Sequence, residues 1–383
     1  MQTIKLYDND AYISVFSAEV ISCEKKDKHY EAILDKTAFF PEGGGQPADT
    51  GMIADIKVID VQIKNDEIVH IIKSPLDCGN HLCKIDWDQR YRRMQNHTGE
   101  HLLSGIAHEM FGCNNVGFHM GSEVTVDFDK ELTAEQLESI ETKANEAIYK
   151  NVKIEVNFPS PSELENLDYR SKLELTENVR IVTIEGFDIC ACCAPHVNRT
   201  GEIGLVKILS SMKHRGGTRL EMLCGADALD DYRIKTKNLY EIAVRLCAKH
   251  NHELDAFNKL CNENEALKQK NVSLVNELNS LRISQPEIIN GIYVYFTSDP
   301  DMQAARNLAL DSAKVYNGIS AVFCGNDNNF RYAVASNDIN LSDFASSIRT
   351  NLSAKGGGSP ELLQGSLNST KEALVDFLNK VKI

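Results

Sequence analysis

A chain of 383 residues is too long for one ordinary hydrophobic core, so two or three domains are expected. Its 42% hydrophobic and 25% charged residues are ordinary for a globular protein, and no run of about eighteen apolar residues occurs, which excludes a membrane-spanning helix. A formal net charge of −14 argues against broad, sequence-indifferent nucleic-acid binding while leaving room for a local basic patch.

The first residues mix acids with apolar side chains and lack the apolar run of a signal peptide. The eleven cysteines are an odd, scattered set with one cluster at Cys190, Cys192 and Cys193. Free thiols and a metal or redox cluster fit this pattern better than a disulfide framework, and a cytoplasmic location is expected.

In chain order, residues 1–90 alternate apolar and polar side chains over Ala11–Ser17, His29–Leu34, Lys57–Ile63 and Ile68–Ile72, a pattern that predicts a small β-barrel or meander. From Arg90 to Met110 the period becomes helical, with His97, His101 and Leu102 near one face. Residues 91–233 then read as an α+β domain, with strands over Val124–Phe128, Val152–Phe158, Val179–Ile184, Leu205–Leu209 and Thr218–Leu223 and a helix over Ala134–Tyr149.

Residues 234–285 carry leucine every seventh position at Leu239, Leu246, Leu260, Leu267, Leu274 and Leu281, interrupted at Glu253. This seam predicts one long helix packed on a partner helix, in a homodimer or in an intramolecular hairpin, ended by Pro286. Residues 286–383 predict a compact α/β domain, with strands Ile292–Thr297, Ala321–Cys324 and Tyr332–Ser336, helices Asp301–Tyr316 and Leu341–Leu352, and a capping box of Ser369 and Glu372 on the last helix.

The strongest chemical signal is His97-Thr-Gly-Glu-His101. Histidines four apart lie one helical turn apart, so both imidazoles can reach one metal ion. The glutamate does not directly follow His97, so this is not the HExxH of zinc proteases. Alone the pair is a spacing that chance supplies. The segment Cys190-Ala-Cys192-Cys193-Ala-Pro-His196 adds thiolate and imidazole donors, and zinc favours such a mixed set. A following turn, Asn198–Gly201, makes this an exposed loop in expectation, rather than a buried metal-free cysteine cluster.

A second signal is Phe39-Phe-Pro-Glu-Gly-Gly-Gly-Gln46, whose glycines let backbone N–H groups approach a ligand and whose Gln46 could read a polar group. By itself it reads more simply as a hinge between strands. Lys213-His-Arg215-Gly-Gly-Thr-Arg219 is a short basic turn suited to phosphates or to simple solvation. Lys355-Gly356-Gly357-Gly358 is no P-loop, yet it could present backbone donors to a phosphate or nucleobase.

Taken in order, these motifs resemble the editing half of alanyl-tRNA synthetase and its free-standing relatives, the AlaX proteins. The glycine loop is similar to the family's Phe-Tyr-Pro-Glu-Gly-Gly-Gly-Gln-Pro signature, with Phe40 in place of Tyr. The histidine pair resembles its His-x-x-x-His, and Gly117–Phe128 its following strand pair. The cysteine loop resembles Cys-Gly-Gly-Thr-His-Val with Cys192 and His196 at the ligand positions. Cys193-Ala194-Pro195 departs from that pattern, so Cys190 and Cys193 compete with Cys192. The tail resembles the DHH-associated C-terminal domain, and the long form of AlaX fits the whole chain.

The resemblance implies hydrolysis of seryl- or glycyl-tRNA charged in error on the alanine tRNA, with one Zn2+ per chain held by His97, His101, Cys192 and His196. No adenylation domain precedes the barrel in this sequence, so ATP-dependent aminoacylation is not expected. Thr37 matches a family position that reads the amino-acid side chain, and Gln46 is expected to order the ester or the attacking water. Arg215, Arg219, Lys355, Gly356, Gly357 and Gly358 are candidate tRNA contacts. A homodimer through the heptad helix and tail is expected, with neither membrane nor DNA as partner. The competing expectations are a non-catalytic tRNA-binding relative and a zinc hydrolase of small aminoacyl esters, which the acidic charge favours.

Overall fold

The alternating stretches near the N-terminus close on themselves. In the computed structural model, which describes residues 3–171, 179–298 and 301–382, six strands pair in the ring Val15–Lys26, His29–Leu34, Glu67–Ile72, Ile56–Lys64, Gly51–Ile53 and Gly79–Ile85, and the last pairs back with the first. Their inward residues, among them Ala18, Val20, Ala32, Leu34, Val58, Val61 and Ile72, fill the interior. Thr37 lies on a short strand, Lys36–Thr37, that pairs in parallel with Ile4–Lys5.

The helix Trp87–Phe111 follows at once and ends on left-handed Gly112. It is buried on nearly every side from Met94 to Ala107. An antiparallel sheet packs on it, in the order Val206–His214, Gly217–Cys224, Val124–Phe128, Asn115–Met120. The helix Ala134–Lys150, opened by a capping box of Thr133 and Gln136, and a three-stranded sheet of Ile154–Asn157, Ile181–Ile184 and Asp188–Ala191 complete the surround.

The chain divides into two compact units, 1–241 and 242–383. The barrel and the histidine helix lie in the same unit, each with its own hydrophobic core. The helix Gly225–Leu246 crosses the division.

The long helix expected over 234–285 is two helices, Gly225–Leu246 and Glu253–Ile283. Cys247 and Asn251 take positive φ between them, at 50° and 61°, which no α-helix accommodates. The break coincides with the heptad interruption at Glu253. Along the second helix Leu260, Leu267, Leu274 and Leu281 are 48%, 66%, 53% and 67% exposed, so no intramolecular hairpin among the described residues covers the seam.

The second unit carries a six-stranded sheet in the order Glu287–Ile289, Ile292–Thr297, Ser320–Asn326, Asn329–Ala335, Leu362–Leu367, Lys355–Ser359. Only Ile292–Thr297 and Ser320–Asn326 run parallel, connected through the helix Met302–Tyr316. The expected Ser369/Glu372 box is replaced by a Thr370 cap, whose hydroxyl accepts from the Ala373 N–H.

One buried polar pair in the barrel yields a prediction. His70, with no exposure, donates from Nδ1 to the Ala32 carbonyl at 3.2 Å, leaving Nε2 to accept from the Thr37 hydroxyl at 2.9 Å. Burial pushes the His70 imidazole down from its ordinary 6.5 to about 4. As pH falls from 6.5 towards 4, the unfolded chain binds a proton that the folded barrel refuses, so stability declines across this window. The contribution is at most about 3 kcal/mol. Denaturant titrations at pH 7 and pH 5 should show a smaller pH-dependent loss for His70→Gln than for the native chain.

Candidate metal centre

Four donors from two distant segments meet at one point. His97 and His101 project from one face of the central helix, and Cys192 and His196 come from the segment after Asp188–Ala191. Their ligand atoms all lie within 4.8 Å of one another. Cys192 Sγ stands 3.5 Å from His97 Nε2 and 3.4 Å from His196 Nε2. A tetrahedral shell with metal–nitrogen and metal–sulfur bonds of the usual lengths has edges of about 3.4–3.6 Å, so the donors fit a four-coordinate metal ion.

Each imidazole is turned to that point by a bond on its far nitrogen. His97 Nδ1 donates to Gln46 Oε1 at 2.9 Å, His101 Nδ1 to Asp188 Oδ2 at 3.1 Å, and His196 Nδ1 to Thr98 Oγ1 at 3.1 Å. All three Nε2 lone pairs are thereby left for a metal. Arg170 fixes Asp188 in turn, reaching its two carboxylate oxygens at 2.7 and 2.9 Å. Burial pushes the Asp188 carboxyl up, but the bonds from His101 and Arg170 outweigh it and hold it below the usual range.

Protonation follows from the same crowding. Burial opposes ionisation of Cys192, yet His97, His196 and His101 around it hold its thiol well below the ordinary value. Burial likewise opposes a charge on His101, and Cys190, Cys192 and Asp188 override it. Thiolate character at Cys192 suits coordination of a cation, which would compete with a proton on His101. Burial drives His196 down to about 3, which keeps it neutral for coordination.

The cysteine segment departs from the exposed loop expected of it. Ala194 and His196 are buried and Cys192 is half-buried, because Arg180 reaches over to bond the Cys192 and Ala194 carbonyls, each at 2.8 Å. Cys193 is exposed, with its sulfur beside Gly43 and Gly44. Cys190 belongs to a neighbouring group with His101 and Asp188.

The glycine loop forms the facing wall. Gly43 and Gln46 exchange backbone hydrogen bonds of 3.1 and 3.0 Å around Gly44 and Gly45, whose φ values are 61° and 81°. A Cβ on Gly45 would fall 2.3 Å from the Phe118 carbonyl oxygen, so only glycine lets the turn lie against Asn115–Met120. Gln46 has no exposure and its Nε2 lacks a partner, so its carbonyl serves His97 and does not face bulk solvent.

Beside the donors opens a cavity of about 1420 Å³, lined by Gly44, His97, Glu100, Phe118, Arg170 and Arg180 among others. This space is far larger than one amino-acid side chain. Thr37 is not in its lining. Its oxygen is occupied by His70 and the Phe39 N–H inside the barrel.

Of the basic candidates, Arg215 is exposed on a tight turn, whereas Arg219 is bound through two nitrogens to Asp127 at 2.6 and 2.7 Å. Lys355, Gly356, Gly357 and Gly358 form the exposed edge strand of the second unit's sheet. Sequence spacing gives no sign of Thr98, Asp188 or Arg170. Asp188 lies four residues before Cys192, and that offset is the sole trace of its role.

Comparison with known proteins fits this architecture. Residues 6–89 match the tRNA synthetases class II (A) family, and residues 179–221 match the threonyl and alanyl tRNA synthetase second additional domain. The alanyl-tRNA editing protein Aarsd1-B of Xenopus laevis is 33% identical over 289 residues, 70% of each chain. The alanyl-tRNA editing protein AlaX-L of Pyrococcus horikoshii is 27% identical over 97% of this chain and 96% of its own length. An alanine–tRNA ligase from Ignicoccus hospitalis is 33% identical over 81% of this chain, which spans only 36% of the ligase. The protein is thus a member of the synthetase-related editing class. Within that class the chain belongs to the AlaX-like family of alanyl-tRNA editing proteins.

Two measurements check the centre. Elemental analysis should find about one metal ion per native chain, and Cys192→Ala combined with His101→Ala should lose it. Asp188→Asn should weaken metal affinity by about 10–100-fold in a chelator competition without unfolding the chain.

Proposed function

We propose that this chain is a trans-editing deacylase that hydrolyses the ester of alanine tRNA mischarged with serine or glycine. The reading is carried by the four donors, His97, His101, Cys192 and His196, converging beside a cavity in a chain of the editing family. A synthetic pocket shaped for alanine cannot exclude the smaller glycine and rejects an added hydroxyl only modestly, so a second hydrolytic site answers a real need.

The donor set of three imidazoles and one thiolate suits Zn2+, which when bound supplies a Lewis acid able to polarise a carbonyl, activate water or orient an amine. Four protein donors complete a tetrahedral shell, and this favours orientation of substrate or exchange of one ligand over a permanently open position. The chain's own groups set the geometry. Gln46, Asp188 and Thr98 hold the three rings, and Arg180 holds the Cys192 backbone. Thr37 acts from behind, because its hydroxyl accepts from the Phe39 N–H at 3.1 Å at the start of the glycine loop.

For tRNA, the proposal rests on the exposed Arg215 turn and the Lys355–Gly358 edge, with Arg219 holding its turn in place through Asp127. The uncovered leucines of Glu253–Ile283 favour a homodimer through that helix. A cytoplasmic location goes with the substrate.

Deacylation of seryl-, glycyl- and alanyl-tRNA should be compared with and without a chelator. We expect the first two to be hydrolysed preferentially, loss of activity on chelation, and a fall of at least tenfold for Gln46→Ala. Hydrolysis of free seryl esters at the same rate as seryl-tRNA would favour a small-ester hydrolase instead. Sedimentation at micromolar concentration should give a dimer that Leu267→Glu with Leu274→Glu reduces to monomer.

A further inference from the structure

Two carboxylates are buried in the cavity wall among the described residues, Glu100 and Asp188. Asp188 is answered by Arg170 and His101. Glu100, only 3% exposed, has no lysine or arginine within ion-pair distance among the described residues, although it lies close enough to Arg170 to support that guanidinium's charge. Its Oε1 accepts from the Ser104 hydroxyl at 2.5 Å and from the Asn115 amide, which fixes the carboxylate plane. Among the described residues its Oε2 receives no hydrogen bond, and His101 Nε2 stands 4.0 Å from it. That nitrogen faces the four-donor cluster, so Oε2 is an open acceptor in the cavity wall beside it. A buried carboxylate oxygen gains from any N–H donor that reaches it.

The proposed substrate brings one. An aminoacyl ester carries an α-ammonium about 2.5 Å from its carbonyl carbon. An ammonium bonded to Oε2 would leave that carbonyl beside the point where the four donors converge, given the 4.0 Å between Oε2 and His101 Nε2.

We propose that Glu100 Oε2 receives the α-ammonium of the aminoacyl group, so that the site selects amino-acid esters over hydroxy-acid or plain acyl esters. This inference rests on the deacylase reading. It goes beyond that reading by assigning the amine to a side chain of the central helix.

The test uses two non-hydrolysable probes, adenosine bearing a serine through a 3′-amide and the same compound with hydrogen in place of the α-amine. Calorimetric titration into the full chain, metal-loaded and metal-depleted, should show at least tenfold preference for the amine-bearing probe. Glu100→Gln should abolish the preference while leaving the affinity for the desamino probe and the metal content unchanged. Its amide oxygen can still serve Ser104 and Asn115, and a thermal melt confirms folding. Should Glu100→Gln fail to fold, Glu100→Asp draws the oxygen back by one methylene and should cut the preference several-fold. Equal binding of both probes by the native chain, or an undiminished preference in the folded variant, overturns the assignment. An equal loss for both probes does so too. Seryl-tRNA hydrolysis by the native chain is assayed alongside. Its absence with the amine preference intact would defeat the deacylase reading and leave the role of Glu100 standing.

Discussion

Arg90 and Asp49 are both essentially inaccessible to solvent, and the charge of each is answered chiefly by the other, with Arg93 3.8 Å from the same carboxylate. The guanidinium spans the carboxylate and also bonds the Ala38 and Ala11 carbonyls, while the same carboxylate accepts from the Phe40 N–H at 2.7 Å. The first turn of the histidine helix is thereby tied to both ends of the glycine loop. Removing one member of such a pair costs about 3–5 kcal/mol, since the survivor stays buried and charged. Two turns further along that helix stands His97, and across from it stands Gln46, which turns its ring. The placement of His97 along the helix and the rotation of its ring are thereby tied to this ion pair.

The sequence makes much of this legible where a period or a spacing speaks. Alternation marks four of the six barrel strands, and the four-residue histidine offset marks one face of a helix. The strands Gly51–Ile53 and Gly79–Ile85 are hidden because their pairing depends on closing a ring, which no local pattern encodes. The cysteine segment looks like an exposed turn because Ala, Pro and Cys carry no burial period. Its interior position comes from Arg180, which stands just before the strand Ile181–Ile184. Partners such as Thr98 and Asp188 are invisible for the same reason, since what defines them is a hydrogen bond across 98 or 87 positions. Thr37 is a different case. A position picked out by resemblance lies in the barrel interior, where its hydroxyl supports the loop from beneath.

The second unit offers a contrast in how surfaces are used. In the Lys355–Ser359 edge, added Cβ atoms on Gly356 and Gly358 would collide with the carbonyls of Gln364 and Leu362, so glycine allows the strand to lie closely on its neighbour. The leucine-studded helix Glu253–Ile283 buries almost none of its apolar side chains within the chain. One element is bare backbone and the other bare hydrocarbon, and each suits a partner of its own polarity.

The separation of the ligands along the chain has a thermodynamic side. His97 and Cys192 stand 95 positions apart, so an ion joining them closes a loop containing two strands of the antiparallel sheet, the capped helix and much of the core. No unfolded conformation brings these donors together at low entropic cost, so ion affinity and folding free energy become a single linked quantity. Core substitutions remote from every donor, such as at Ile140 or Val182, would therefore register as weaker ion retention, and the occupied centre would act as a reversible cross-link that steadies the fold around it.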